Sequence, residues 1–291
     1  MEMPHWAGRA RELGKALVGQ VVRDRVTGLA AEVAFFGVLS VFPGLLMLAG
    51  ALGSLEALVG SELARRSKEQ VVGFLDLVLT DQAEGAIAAV EELFAGQSGG
   101  LVTVASLGAL WGLSRGMAAV VRALNLAYDV EESRSWIRLR LLGVALAVGT
   151  VVMGALVLAM IVVGPLFGIG GRLAEVLGLG DAFVTLWSWV RWPVAFGLLV
   201  GWATTLLHIA PATGERTRWR GDLPGAVLAS VLWLAVSLGF NVYLRVAGEA
   251  NPVFGVLGGG LTLLVWLYLL SFALLLGGEV NGLLHGRRAG G

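Results

Sequence analysis

Six stretches, at residues 28–53, 101–123, 141–167, 190–210, 223–246 and 256–284, are each long and apolar enough to cross a bilayer. A hydrocarbon core of about 30 Å needs only about 20 helical residues. Lipid leaves backbone polar groups unsatisfied, so only helices or closed barrels can span it. The period-2 alternation of barrel strands is absent. The predicted fold class is therefore all-α: a polytopic transmembrane bundle of six helices, with an amphipathic extracytoplasmic cap and an N-terminal interfacial helix. Composition removes the rivals. The chain is 57% hydrophobic and 14% charged, against about 25% charged in a soluble domain. It has no Cys and zero formal net charge, which excludes a disulfide-stapled module and argues against a nucleic-acid partner.

Two domains are expected, 1–27 and 28–291. In 1–27, Trp6, Ala10, Leu13, Leu17 and Val21 recur at helical spacing between Arg9, Arg11, Lys15, Arg23 and Arg25. That pattern is a cytoplasmic amphipathic helix on an anionic leaflet, not a signal peptide. The connection 54–100 carries eight acids against Arg65, Arg66 and Lys68, with apolar residues at helical spacing. It reads as two or three amphipathic helices forming the cap. Of the 21 Lys and Arg residues, fourteen fall on the side of both termini, six on the other, and Arg115 lies inside a span. The excess places both termini in the cytoplasm. Trp187, Trp189 and Trp192 suit an outer aromatic belt, Trp136 and Trp219 an inner one.

Five segments carry a family resemblance. They are AEVAFFGVLSVFPGLL (31–46), WGLSRGMAAVVRALNLAY (111–128), LLHIAP (206–211), PGAVLASVLWL (224–234) and NPVFGVLGGGLTLLVWLYL…GGEVN (251–281). In this order they resemble the signatures of the YihY/BrkB family of bacterial inner-membrane proteins, once misnamed ribonuclease BN. The positions carrying the match include Ser114, Gly116, Asn125, Tyr128, Pro211, Asn251, Gly255, Trp266 and Asn281. His208 stands where the family more usually has an aromatic, and Phe254 where it has Tyr. The resemblance implies a multi-pass protein of the bacterial inner membrane, linked to serum resistance, envelope functions and transport or lipid export.

The ribonuclease label can be tested on the residues themselves. A metal-dependent nuclease needs clustered His and carboxylate ligands. Here His5, His208 and His285 are far apart in sequence and no H-x-H or H-x-x-x-H spacing occurs. No enzyme activity, metal or cofactor is expected. Gly112-Leu113-Ser114-Arg115-Gly116 matches G-x-S-x-G, which would need a strand-to-helix turn. It lies inside an apolar helix, where Gly108, Gly112 and Gly116 already make a close-packing face. An intramembrane serine protease using Ser114 and His208 is the remote alternative.

Charges inside the spans are costly and therefore informative. Glu32, Arg115, His208 and Glu279 each lie about 3–8 residues from the cytoplasmic end of a span, sharing one depth band. Glu32 aligns with Phe36, Ser40 and Pro43, and Glu279 with Ser271 and Tyr268. One reading is a structural lock, with Arg115 paired to a carboxylate. The other is a cavity open to the cytoplasm, lined by Glu32, Ser40, Pro43, Arg115, His208, Tyr268 and Glu279. Phe42-Pro43-Gly44 would break the first span, as in many transport sites; a packing kink is the simpler account. Asn125, Tyr128 and Asn251 fall at helix ends, where termination explains them as well as ligand binding does.

The expected function is a transporter or exporter of a lipid-like or envelope-related substrate. A non-transporting envelope scaffold is the alternative. The expected partners are membrane lipids, with a homo-oligomer or an envelope partner engaged through 54–100.

Overall fold

In the computed structural model the described residues are 5–40, 99–158, 160–161, 180–213, 218–248 and 255–289, and among them no strand occurs. Helix α1, His5–Arg23, ends at a turn in which Arg25 takes a left-handed φ of 52°. Asp24 is buried there and paired with Arg23 at 2.9 Å. The chain then re-enters helix as α2, Val26–Ser40, a shorter apolar segment. The break falls at 24–25, slightly before the 27/28 boundary expected from the sequence.

Helix α3, Gly99–Ala127, runs 29 residues. Its C-terminus is closed by a Schellman motif. The Val130 N–H donates to the Asn125 carbonyl at 2.9 Å and the Asp129 N–H to that of Leu126 at 3.0 Å. Asp129 supplies the left-handed residue, φ 52°, a conformation that Asp tolerates better than most side chains. Helix α4 is Trp136–Leu158, α5 is Gly180–Ile209 with Pro193 inside it, α6 is Leu223–Gly248 and α7 is Gly255–Ala289. A short 3-10 turn, Trp219–Asp222, leads into α6. Pro224 in the first turn of α6 lacks a donor that the helix would leave unpaired there in any case.

Four segments are long and apolar enough to cross a membrane: Trp136–Val157, Thr185–Ile209, Trp219–Leu244 and Gly260–Gly286. With the shorter Val26–Ser40 they stand against the six spans expected. Helices α4, α5 and α7 overrun the expected limits, because flanks such as Trp136-Ile137-Arg138 continue the helix beyond the apolar stretch. Large apolar side chains face outward throughout, with Trp189 76% and Leu238 69% exposed. Such a surface needs a solvent as apolar as itself, which is lipid. The Pro43 break, Asn251, Phe254 and residues 54–98 of the cap expected at 54–100 lie outside the described residues; Gly99 and Gly100 open α3.

The described chain forms two compact units. The first draws on Met1–Leu29, Val120–Ala235 and Phe272–Gly291, and so holds the C-terminal parts of α3 and α7 and the N-terminal part of α6. Its core is built from small and branched residues, among them Val121, Leu124, Ala203, Leu207, Ala226 and Leu275. Gly225 of α6 and Gly277 of α7 bring two backbones together, and a Cβ on either would overlap the other's carbonyl oxygen. Only glycine permits that approach. The second unit draws on Ala30–Ala119 and Val236–Ser271. There the glycine face of α3 meets α2: a Cβ on Gly112 would lie 3.0 Å from Ser40 Cβ, and one on Gly116 3.4 Å from Phe36 Cβ.

Candidate functional site

The chemistry of the first unit gathers around Asp222, the last residue before α6. Its carboxylate is fully buried. Tyr128, just past the end of α3, donates its hydroxyl to Oδ1 at 2.9 Å. His208 of α5 brings Nδ1 to 2.9 Å from Oδ2, and His285 of α7 brings Nε2 to 3.8 Å from Oδ1. Asn281 of α7 completes the group. Its Oδ1 accepts the Gly225 N–H at 2.8 Å, satisfying an amide of the first turn of α6 that has no partner within the helix. Its Nδ2 donates to the Asp222 carbonyl at 2.8 Å and to the Tyr128 oxygen at 3.1 Å. Burial first, then the neighbouring Asp222, raises the Tyr128 hydroxyl far above the ordinary phenol range. Tyr128 therefore stays protonated and remains a donor.

A second knot closes the end of α5. Arg134 donates through Nη1 to the Ile209 carbonyl at 3.2 Å and through Nη2 to that of Ala210 at 2.6 Å. A cation at a helix C-terminus meets both the free carbonyls and the helix dipole. The same guanidinium grips Glu132, with Nε at 2.8 Å from Oε1. Asn125 Nδ2 donates to Glu132 Oε2 at 2.9 Å, and Asn125 Oδ1 accepts the Ala212 N–H at 2.7 Å, beside buried Pro211. Burial alone would raise the Glu132 carboxyl. The hydrogen bonds from Arg134 and Asn125 outweigh it and hold the group below the usual carboxylate range. Asn125 is thus used in joining helix ends, which accounts for it without a ligand.

Of the expected cavity residues, His208 and Glu279 fall in the first unit, and Glu32, Ser40, Arg115 and Tyr268 in the second. Glu279 is 1% exposed, and its Oε2 has no hydrogen-bond partner among the described residues. Arg23 and Asp24 lie within electrostatic reach of it. In the second unit, Ser40 is buried and donates to the Gly37 carbonyl at 2.7 Å, while Glu32 and Tyr268 are half-buried and partnered. Trp266 packs near Phe240, ring centroids 6.5 Å apart. Arg115 is exposed and makes no ion pair among the described residues. Its guanidinium lies 5.5 Å from the centroid of the Phe36 ring and 5.8 Å from that of Trp111, contacts worth about 0.5–2 kcal/mol each. Ser114 is buried inside α3, fifteen residues past its start at Gly99, so it does not sit at the strand-to-helix turn of a nucleophile elbow.

Sequence reasoning missed Asp222, His285, Glu132 and Arg134 as site residues. One signal was available for Asp222: it is an acid at the head of a span, between Arg220 and Leu223-Pro224, where a helix N-terminus favours negative charge. Among the described residues no group of three or more His, Cys, Asp or Glu side chains is placed to hold a metal ion.

Residues 17–291 match the family described as Virulence factor BrkB. A ribonuclease-like protein of Bacillus subtilis, YfkH, is 33% identical over 262 residues, 89% of this chain and 90% of that protein. UPF0761 membrane proteins of Halorhodospira halophila and Stenotrophomonas maltophilia are each 24% identical over 97% of this chain. The chain spans only 59% and 62% of their lengths. No solved structure matches it. With apolar helices of spanning length and a family match over nearly its whole length, this chain is an integral membrane protein belonging to the BrkB virulence-factor family.

Proposed function

We propose that this chain sits in the bacterial inner membrane with both termini in the cytoplasm and transports a lipid-like, envelope-related substrate, with membrane lipids as its partners. One observation carries the reading: Glu279, a buried carboxyl in the apolar helix α7, keeps an oxygen without a hydrogen-bond partner among the described residues. An acid there is costly, and a purely structural lock would answer that oxygen with a cation or a donor. The other half of such a lock, Arg115, rests on aromatic rings instead. Neither placement favours the lock, and an unanswered buried acid in a membrane helix is the usual mark of a binding or relay position.

The test is flux in proteoliposomes containing the full chain. Glu279→Gln keeps the volume and removes the charge, and should lower lipid flux about tenfold or more while the protein elutes and melts as the wild type does. Flux equal to wild type removes the reading. The scaffold alternative, in which 54–100 docks a partner or a second copy, separates from it by deletion of 66–95. A scaffold then loses its cellular phenotype, whereas a transporter keeps flux.

A further inference from the structure

Along α3 the residues Val104, Leu107, Trp111 and Arg115 follow one another at helical spacing, and all four are exposed. They form one outward stripe of the helix. Phe35 and Leu39 of α2, also exposed, continue the apolar surface. Phe36 meets Trp111 edge to face, centroids 6.2 Å apart, and the two rings make a shelf on which the Arg115 guanidinium rests. This cation stands twelve residues before Ala127, the end of α3, about 18 Å along the axis. A guanidinium this far inside a 29-residue, mainly apolar helix calls for an anion to answer it. Among the described residues no acid pairs with it.

We infer that Arg115, held by Phe36 and Trp111, is a seat for the phosphodiester group of a phospholipid, whose acyl chain lies along the Val104–Leu107 stripe. Charge complementarity selects the headgroup, and the exposed apolar surface accepts the chain. A guanidinium suits this position because its face stacks on the rings while its edge presents parallel N–H groups to two phosphate oxygens. An ammonium has no planar edge with which to make that paired contact. The seat names the headgroup class of the proposed cargo and rests on the transport reading for that link alone.

The experiment is native mass spectrometry of the full-length protein with phosphatidylglycerol or with diacylglycerol of the same acyl chains, alongside flux on the same preparations. Wild type should retain phosphatidylglycerol and release diacylglycerol. Arg115→Gln should lower phosphatidylglycerol retention about tenfold and Arg115→Lys about threefold, reflecting lost charge-assisted hydrogen bonds. Arg138→Gln, an exposed arginine on α4, should leave retention unchanged. The seat is overturned by retention in Arg115→Gln equal to wild type, by equal retention of diacylglycerol, or by a wild-type dimer that Arg115→Gln separates without loss of lipid. Retention lost in Arg115→Gln while Glu279→Gln leaves flux intact upholds the seat and sinks the transport reading. The reverse pattern sinks the seat alone.

Discussion

Asp222 at the head of α6 and Glu279 within α7 are both carboxyls with almost no exposed surface, and both belong to the same compact unit. Their surroundings differ completely. Asp222 receives Tyr128 and His208 at 2.9 Å, has His285 beside it, and gives its own carbonyl to Asn281. Glu279 leaves Oε2 unanswered among the described residues. Two acids equally buried in this protein are therefore held in opposite ways. A saturated acid fixes which helix ends meet; an unsaturated one stores an unmet demand that a substrate or an ion can fill.

Substitutions should pull the two acids apart. Asp222→Ala strands the Tyr128 hydroxyl and His208 and takes the carboxylate from beside His285, and should destabilise by about 3–5 kcal/mol, read from the unfolding midpoint in detergent. A loss under about 1 kcal/mol would place Asp222 with Glu279 rather than opposite it. Asn281→Ala removes the acceptor for the Gly225 amide and two donated bonds, and should cost about 1–3 kcal/mol without abolishing lipid flux. Glu279→Gln should leave stability within about 1 kcal/mol of wild type, because Oε2 makes no hydrogen bond among the described residues for it to break. A drop as large as that of Asp222→Ala would erase the contrast.

The smallest effect belongs to Glu132. Its carboxyl lies below the usual range in the folded protein, so its stabilisation is complete above the ordinary carboxylate value of about 4 and fades as pH falls through the lower folded value. Comparison of unfolding at neutral and strongly acid pH should show a loss of about 0.5–1 kcal/mol that is absent from Glu132→Gln. An identical pH profile in that variant would mean that the Arg134 knot does not depend on the charge.

The sequence made the helical class legible because apolar length is a local property. The glycine face of α3 was legible for the same reason, and Gly112 and Gly116 do lie against Ser40 and Phe36. The Asp222 group was not. Its members are separated by 94 residues from Tyr128, 14 from His208 and 59 from Asn281, and no periodicity within one helix joins them. His208, expected in a cavity, and His285 converge on a single carboxylate only after α5 and α7 have packed. In the sequence Arg134 adds only to the Lys and Arg excess on one side, although its guanidinium closes the end of α5. Helix ends were misplaced where polar or aromatic residues prolong a helix past its apolar stretch, as Trp136 does for α4.

Asn281 also limits how the molecule can move. One side chain of α7 holds an amide of α6, a carbonyl ahead of α6 and the hydroxyl of Tyr128, and the Gly225–Gly277 contact lies close by. A slide of α7 by a single residue would break all three bonds together and drive a backbone into its neighbour. The head of α6 and the tail of α7 must therefore travel as one rigid piece. Any conformational cycle has to find its hinges elsewhere in the chain.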